Sequence, residues 1–428
     1  MKKIELLASA GLPRQSKKKT KVELLAPAGD LQKLKYALHY GADAVYCGVP
    51  DFSLRVRINR FSAEDLKEAV KYTHKLKKKI YVTLNIYAHN QHLEKIKAHI
   101  LFLRKLKVDA IIVSDPGIIL LIQKYWPKAE IHLSTQANAT NFSAVDFWKK
   151  QGVKRIILAR EVTLAEIREI RKKTKKIDLE YFVHGAMCMS YSGRCILSKW
   201  MTERSANLGD CSQPCRWAYQ EVKKISIVDD QKRFEMDIEE DRHGTHFFNS
   251  YDMNLIEHVD KLINAGVCSL KIEGRAKSAY YLAIVTRAYR TVIRAIETGV
   301  SREKLKKIIQ AQKEELDNLI HRGYSTGFLL GSEPAHNFEN KNNLARFQFV
   351  GEVEGVESYL NILRVHNQVS VGDELEAITL EKNISLKIKR ILDHTKKEVT
   401  VANGGHDQRY YFEFDQILEV MSLVRKRI

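Results

Sequence analysis

The sequence predicts an α/β fold: a (β/α)8 barrel of the TIM type, followed by a small β domain. Eight short apolar runs alternate with amphipathic helical patterns over about 250 residues, the usual length of such a barrel. The runs are almost continuously apolar, as is typical of parallel strands buried on both faces. A polar, asparagine-rich stretch follows, and beyond it the pattern changes to short alternating strands.

Each predicted barrel strand is an apolar run. The eight ranges are 22–29, 44–49, 80–86, 110–115, 131–138, 155–161, 179–186 and 269–275. In the segments between them, apolar residues recur every three and four positions, which predicts helices. Asp30, Ser62, Asp115 and Thr163 stand where helix N-caps are expected, and we interpret Asp30 and Asp115 as caps.

The same patterns predict the domain boundaries. They are an N-terminal extension (1–21), a barrel domain (22–332), a linker (333–344) and a small β-barrel domain (345–428). The insertion at 187–268, between the seventh and eighth strands, is far longer than an ordinary βα loop. Long insertions at the C-terminal end of a barrel usually carry function.

The charge of the chain is strongly basic, with a net charge of +19 and a pI near 9.4. The first 344 residues hold 59 Lys and Arg against 39 Asp and Glu, whereas the remainder holds 12 against 13. This balance favours an acidic polymer such as RNA as partner of the barrel domain. A generally basic enzyme is the alternative.

Composition excludes other classes. No apolar run approaches the ~20 residues that span a bilayer. The N-terminus is a poor secretory signal, because its short apolar stretch holds Glu5 and precedes a lysine run, so we expect a cytoplasmic protein. Six cysteines in 428 residues do not make a disulfide scaffold. A homo-oligomer or a partner subunit is compatible with these patterns.

Polar residues stand at the ends of the predicted strands, where a barrel of this type builds its active site. We assign possible acid–base roles to Glu161, His184 and Glu273. Arg160 and Arg275 have the forked guanidinium that binds carboxylates or phosphates. The substrate-binding set is completed by Asn85, Gln136, Asn138 and Arg194.

Four cysteines in the insertion are the strongest local signal. They are Cys188, Cys195, Cys211 and Cys215, in the spacing C-x6-C-x15-C-x3-C. Four thiolates can hold zinc or an iron–sulfur cluster, although the spacing lacks paired C-x2-C zinc knuckles. A single catalytic thiol assisted by His184 is a further possibility. Cys47 and Cys268 lie in apolar contexts and are interpreted as core thiols.

Motifs of hydrolytic enzymes are missing from the sequence. Neither an HExxH helix nor a G-x-S-x-G elbow is found, and His243 and His246 in RHGTH lack the partner glutamate. The P-loop and the GxGxxG turn are also missing.

Several motifs together resemble those of the collagenase-like peptidase family, family U32. The resemblance runs from about residue 22 to 331 and continues into the C-terminal domain. The segments that carry it are LLAPAGD (24–30), FSLR (52–55), SDPG (114–117), HLSTQAN (132–138), LARE (158–161), VHGAMCMSYSGRC (183–195), LGDCSQPCRW (208–217), SLKIEGR (269–275) and HRGYSTGF (321–328).

The resemblance implies an activity other than proteolysis, since members of this family are associated with oxygen-independent hydroxylation of RNA or of a quinone precursor. A tRNA-modifying subgroup converts wobble uridine 34 to 5-hydroxyuridine, with prephenate as the hydroxyl source and iron–sulfur assembly required. By resemblance, Cys188, Cys195, Cys211 and Cys215 become ligands of a [4Fe-4S] cluster. The tRNA would bind through its anticodon region. Arg160 and Arg275 would hold prephenate, and Arg194 would contact the substrate or tune the cluster.

One position departs from the family pattern. Quinone-hydroxylating relatives place a ligand cysteine in a segment that resembles NSYDMNLIEHV (249–259), where this chain has Asn254. Either Cys211 completes the ligand set or the cluster is ligated differently.

Two other functions compete with RNA hydroxylation. A peptidase, as the family name says, would cleave peptides without iron and would be indifferent to Cys211. A non-catalytic RNA-binding protein with structural zinc would bind zinc tightly and leave tRNA nucleosides unchanged.

Overall fold

The protein was analysed as a computed structural model. The structure describes residues 21–50, 52–53, 61–187, 197–202, 204, 211–212, 214, 227–228, 235–236, 251–331, 345–405 and 409–428. The predicted extension, most of the cysteine-bearing insertion and the predicted linker therefore lie outside the described residues.

The first part of the chain forms the predicted parallel barrel. Its strands are β1 (Glu23–Pro27), β2 (Ala44–Gly48), β3 (Lys79–Leu84), β4 (Ala110–Val113), β5 (Ile131–Leu133), β6 (Arg155–Ile157), β7 (Asp178–Ala186) and, after the insertion, β11 (Ser269–Ile272). Each strand pairs with its neighbour in parallel, and β11 closes the ring by pairing with both β7 and β1. The predicted fold class is confirmed.

Helices separate the strands, as in other barrels of this type. They are α1 (Leu31–His39), α2 (Ala63–Lys75), α3 (Leu93–Leu106), α4 (Pro116–Tyr125), α5 (Phe142–Lys150), α6 (Leu164–Lys173), α7 (Leu197–Thr202), α8 (Val259–Asn264), α9 (Ala279–Thr298) and α10 (Arg302–Asp317). Short 3-10 turns lie at Asn90–His92, Thr135–Ala137 and Ile256–His258.

The helix N-caps follow the sequence expectation. Asp30 and Asp115 each accept a backbone N–H three residues on, from Lys33 at 2.8 Å and from Ile118 at 3.0 Å. Ser62 and Thr163 form capping boxes at the starts of α2 and α6. Each cap satisfies otherwise unpaired N–H groups of the first turn, which is worth about 1 kcal/mol.

Some strands are shorter than the sequence predicts. The run 131–138 is strand only to Leu133 and then forms a 3-10 turn, and the run 155–161 is strand only to Ile157. The polar residues at the ends of these runs therefore lie on loops at the rim of the barrel.

Three more strands, β8 (Ile227–Val228), β9 (Glu235–Met236) and β10 (Asp252–Asn254), come from the insertion, and β12 (Tyr324–Ser325) follows α10. Strand β10 pairs antiparallel with the end of β7, and β12 pairs with β10, so these two strands extend the sheet outside the ring. The sequence pattern did not predict this addition.

The C-terminal domain consists of β-strands, as the alternating pattern predicted, and they form an antiparallel sheet. Its strands are β13 (Phe347–Glu357), β14 (Leu360–Val365), β15 (Val369–Ser370), β16 (Leu375–Ile378), β17 (Asn383–Leu386), β18 (Ile388–Leu392), β19 (Glu398–Val399), β20 (Val401–Ala402), β21 (Arg409–Phe414) and β22 (Leu423–Arg427). Eight of them form one sheet in the order β17-β16-β22-β13-β14-β21-β18-β19, and β15 pairs with β20.

The two domains share a packed interface. Ile378 and Leu423 of the C-terminal domain belong to the same apolar cluster as the barrel core. The hydroxyl of Tyr40, at the end of α1, donates to the carbonyls of Ile378 at 2.8 Å and Met421 at 3.1 Å.

None of the helices in the described part of the chain is both long enough and apolar enough to cross a membrane.

Candidate functional site at the barrel mouth

The candidate site lies at the carboxyl ends of the barrel strands, a region called here the mouth. Because all eight strands are parallel, their carboxyl ends meet at one end of the barrel. Two aromatic residues from strands three places apart in the ring, Tyr46 on β2 and Phe182 on β7, carry cationic groups at their faces in this part of the barrel.

Arg160 places a buried guanidinium at the mouth. It is only 8% exposed, and its guanidinium lies 4.0 Å from the centre of the Phe182 ring. Its Nε makes no hydrogen bond, and no carboxylate pairs with the guanidinium, within the part of the chain that the structure describes. A buried positive charge is costly unless an anion or a polar group neutralises it. This arrangement suits an anionic ligand.

Arg275 follows β11, two places from β6 in the ring, and lies in a different environment. Its Nη1 donates to the hydroxyl of Ser53 at 2.8 Å, and its guanidinium is 5.8 Å from the centre of the Tyr46 ring. Glu273, two residues before it, accepts a hydrogen bond from the Tyr46 hydroxyl at 3.2 Å. Tyr46 therefore lies between the guanidinium of Arg275 and the carboxylate of Glu273.

Amide side chains line a third part of the mouth. The Nδ2 of Asn85 donates to Oε1 of Gln136 at 2.7 Å, and Nε2 of Gln136 donates back to the carbonyl of Asn85 at 3.2 Å. The Oδ1 of nearby Asn138 is buried and accepts no hydrogen bond from the described residues. The backbone of Asn138 has φ of 51°, a left-handed conformation that asparagine tolerates well.

Charged side chains fill the barrel interior below the mouth. Lys271 donates to Glu180 at 3.0 Å, and its amine lies 4.3 Å from the centre of the Tyr46 ring. Arg155 contacts Glu180 at 3.2 Å and also Glu23. Burial opposes the ionisation of Glu180, but the charges of Lys271 and Arg155 outweigh it and lower the pKa of this carboxyl. These paired charges fill the interior beneath Tyr46 and so hold its ring in position.

His184 does not point into the same space as Arg160. A register shift between β7 and β11 places it against α9 and β12, with its ring centre 5.6 Å from that of Tyr289 and 5.5 Å from that of Tyr324. Burial lowers the pKa of His184 to about 3, so the imidazole is neutral near pH 7. Its Nε2 is buried without a hydrogen bond in the described residues. This geometry favours a supporting role.

Glu161 is half-buried beside Arg160 on the loop after β6. Its predicted acid–base role, like that of Glu273, stays a prediction. Arg194 lies outside the described residues.

Asn254 is the residue at the position of the relatives' ligand cysteine. It lies on β10 directly opposite His184 of β7. His184 is four residues before Cys188 in the sequence. Its Oδ1 accepts hydrogen bonds from the Tyr289 hydroxyl at 3.1 Å and from the Ile256 N–H at 3.2 Å. These bonds hold the side chain in place and occupy the oxygen.

Of the four insertion cysteines, the structure describes Cys211, which is a partly buried free thiol. Cys188, Cys195 and Cys215 lie outside the described residues, so the predicted ligand set stays a prediction. No group of three or more metal-binding side chains occurs within the described segments.

Burial raises the pKa of Cys47 to about 12 and that of Cys268 to about 11, as expected for core thiols.

Sequence reasoning missed three residues that line the mouth or lie just beneath it: Tyr46, Phe182 and Lys271. Lys271 and Glu273 are two residues apart in SLKIEGR, and this period of two places them on the same side of the strand. Two charged residues at this spacing in an otherwise apolar strand could have predicted that Lys271 faces the barrel interior. For Tyr46 and Phe182 the sequence offered none, because buried aromatics are ordinary core residues.

The fold and the site define a class of protein: a parallel barrel with a polar mouth that holds buried arginines, and an appended β domain. Family models match both parts, "Peptidase family U32" over residues 29–339 and "Peptidase family U32 C-terminal domain" over 345–425. The chain belongs to peptidase family U32.

Several relatives have names that refer to RNA. The chain is 40% identical to tRNA hydroxylation protein P of Haemophilus influenzae, over 90% of this chain and 92% of that protein. It is 39% identical to tRNA hydroxylation protein P of Escherichia coli, over 94% and 95%. It is also 39% identical to the 23S rRNA 5-hydroxycytidine C2501 synthase of Escherichia coli, over 64% of this chain and 40% of that protein.

Proposed function

We propose that this chain is an enzyme that hydroxylates RNA, and that its substrate is the wobble uridine 34 of tRNA, which it converts to 5-hydroxyuridine. The match over nine-tenths of the chain to proteins named for tRNA hydroxylation carries the proposal. The rRNA hydroxycytidine synthase among the relatives supports the broader reaction class, hydroxylation of an RNA base.

The mouth supports prephenate as the hydroxyl source. Prephenate carries two carboxylates, and the guanidinium of Arg160 lies buried there without an anionic partner in the described residues. A guanidinium binds a carboxylate through two parallel hydrogen bonds. Arg160 would hold one carboxylate, and Arg275, which follows a strand two places away in the ring, would hold the second.

The substrate base must leave its stack to enter the mouth. Bases of an anticodon loop are unpaired and can be turned outward at a low cost. The buried Oδ1 of Asn138, which accepts no hydrogen bond from the described residues, would accept the N–H of a uracil. The amides of Asn85 and Gln136, which are bonded to each other, would form the adjoining wall.

We further propose that Cys188, Cys195, Cys211 and Cys215 hold a [4Fe-4S] cluster. Such a cluster would supply one-electron redox chemistry. Two observations support this ligand set: Cys211 is a free thiol, and the oxygen of Asn254 is already occupied by two hydrogen bonds.

Nucleoside mass spectrometry of total tRNA tests the proposal. The strains to compare lack the gene or carry Cys188→Ala, Arg160→Gln or, as the matched control, Arg168→Gln, an exposed arginine on α6. We expect 5-hydroxyuridine and its derivatives to be lost in the deletion and the Cys188→Ala strain and to fall at least about tenfold in Arg160→Gln, since a charged hydrogen bond is worth roughly 1.5–3 kcal/mol. The control should match the parent.

Other outcomes contradict parts of the proposal. Loss in the deletion alone would mean that neither Cys188 nor Arg160 is needed for the modification. No change in any strain, in a genome with a single homologue, would exclude tRNA as the substrate. In that case the peptidase alternative predicts peptide cleavage without iron that persists in Cys211→Ala.

A further inference from the structure

The end of the barrel opposite the mouth carries a concentrated excess of positive charge. In a parallel barrel the loops that lead from each helix into the next strand all lie at this end. Five consecutive loops with the last turns of their helices, residues 75–79, 104–109, 124–130, 149–154 and 171–178, are called here the basal face. They hold 17 Lys and Arg against three acids.

The described loops of the mouth show no such excess. These loops, residues 28–30, 85–92, 114–115, 134–141, 158–163 and 273–278, contain three Lys and Arg against four acids. Among the described loops, the excess of positive charge therefore lies at the end opposite the mouth.

Most of this charge is accessible. Fourteen of the 17 basic side chains of the basal face are exposed. Its three acids are bonded to other groups: Asp109 to the backbone N–H of Ile80, Glu130 to His132, and Asp178 to Arg155. The hydrogen bonds and ion pairs of these acids are therefore made with groups other than the exposed lysines of the face.

Helix capping accounts for only half of the basic residues. A lysine in the last turn of a helix interacts favourably with the helix dipole. Eight of the lysines, however, come after the last helical residue: Lys77, Lys78, Lys79, Lys107, Lys128, Lys154, Lys175 and Lys176.

Three of those eight occupy unfavourable backbone positions. Lys77, Lys107 and Lys176 have φ of 55°, 60° and 58°, the left-handed region where helix ends normally place glycine. An L residue costs about 1–2 kcal/mol there. The three loops therefore each have a lysine at a position where glycine would lower the conformational energy of the backbone.

The basal face forms one continuous arc. The loops precede β3 to β7, which are neighbours in the ring, whereas the loop before β2 follows Tyr40, which contacts the C-terminal domain. Within these five fully described segments Leu76 is the exposed large apolar side chain, so an apolar anchor for a membrane or a protein partner is nearly missing. Fifteen of the 17 cations are lysines, which suit phosphates as point charges.

We infer that the basal face is a second RNA-binding surface, which holds phosphates of the substrate away from the base that enters the mouth. This inference rests on the proposed function. Strands β1 to β6 have three to six residues, so the sheet separates the two ends by roughly 10–20 Å, a distance that a folded RNA can bridge.

The test measures RNA binding with a fourfold variant of exposed lysines that avoids the left-handed positions. The variant combines Lys105→Gln, Lys154→Gln, Lys172→Gln and Lys175→Gln. The matched control removes the same charge from α10 and the C-terminal domain, through Lys304→Gln, Lys306→Gln, Lys307→Gln and Lys389→Gln, all exposed. Dissociation constants for full-length tRNA and for an isolated anticodon stem-loop are measured over a range of salt concentrations.

We expect the basal variant to bind full-length tRNA at least about tenfold more weakly and to lower the slope of log affinity against log salt by up to about 3, since each lost phosphate contact removes roughly 0.7–0.9. The control should match the parent. Binding of the stem-loop, which has far fewer phosphates, should fall less in the basal variant than binding of full-length tRNA.

Equal affinity and equal slopes in the parent and the basal variant would overturn this inference and leave the proposed function intact. A parent that does not bind tRNA would overturn both. A basal variant that loses binding to vesicles of anionic phospholipid but keeps its affinity for tRNA would assign the surface to a membrane and would also overturn the inference.

Discussion

Arg160 and His184 are buried at the ends of neighbouring strands, and they differ in what surrounds them. Arg160 keeps its permanent charge on the face of Phe182. His184 lies among three tyrosines, Tyr281, Tyr289 and Tyr324, and burial keeps it neutral. A permanent cation can bind an anionic substrate, whereas a neutral, enclosed imidazole is suited to hold the end of β7 in place.

The pKa of His184 is open to direct measurement. Because the pKa is lowered from 6.5 to about 3, the unfolded chain binds a proton at this position below about pH 6.5 that the folded chain does not bind. The contribution of His184 to the free energy of unfolding is therefore complete above that pH and is lost as the pH falls toward 3.

Hydrogen–deuterium exchange at the imidazole carbon, followed by mass spectrometry, reports the pKa of single histidines. We expect slow exchange at His184 with no inflection between about pH 5 and 8, since a neutral buried ring does not titrate there. Exposed His89 serves as the internal control for fast exchange. An inflection near 6.5 at His184 would contradict the buried, neutral state.

At the scale of elements, the end of β7 depends on a close approach of two strands. Gly185 has φ of +106°, and a Cβ added to it would lie 2.3 Å from the carbonyl oxygen of Glu273. The same glycine pairs with Met253 of β10. The absence of a side chain therefore permits the register shift that turns His184 toward α9 and brings Glu273 to the mouth.

Gly185→Ala should destabilise the protein through both backbone strain and this collision. Gly331→Ala is the matched control, because Gly331 also has a left-handed φ, +89°, but has no atom within 4 Å of the added Cβ. We expect about 1 kcal/mol of backbone cost in both variants and a further 1–3 kcal/mol from the collision in Gly185→Ala.

The midpoint of thermal unfolding, measured by circular dichroism, compares the two variants. Equal midpoints would show that β7 and Glu273 move apart without cost and that the close approach is unimportant for stability.

At the scale of the whole molecule, a buried ionic cluster joins the barrel domain to the C-terminal domain. Glu315 of α10 receives two parallel hydrogen bonds from Arg425 of β22, at 2.8 and 3.0 Å. Arg287 of α9 lies 3.5 Å from the same carboxylate and donates to the carbonyl of Thr379 at 2.9 Å. The C-terminal domain is thus held along one side of the barrel.

Glu315→Gln should weaken the docking of the two domains, because two arginines would lose their buried carboxylate. Removal of one partner from a buried ion pair costs about 3–5 kcal/mol. Glu314→Gln changes the adjacent exposed glutamate and is the matched control. Differential scanning calorimetry should show one cooperative unfolding transition in the parent and the control, and two separate transitions in Glu315→Gln. A single unshifted transition in that variant would contradict the coupling of the two domains through Glu315.

The sequence by itself determined the barrel, its order of elements and the helix caps. These features depend on local patterns: apolar runs, the period of helices, and cap residues such as Asp30 and Thr163. It also determined which residues follow the strands, because parallel strands bring their carboxyl ends to one side. The positions of Arg160, Arg275 and Gln136 at the mouth follow from this rule alone.

Only the tertiary structure decided which of these side chains face each other. The alternation of a strand predicts a direction for His184, but contact with β11 and β10 shifts the register and turns the ring toward α9. The pairing of Lys271 with Glu180, the contact of the Arg160 guanidinium with Phe182 and the union of five lysine-rich loops into one surface likewise arise between residues far apart in the chain. Local patterns carry no information about such contacts, because burial and Coulomb interactions depend on distance in space and not on separation in sequence.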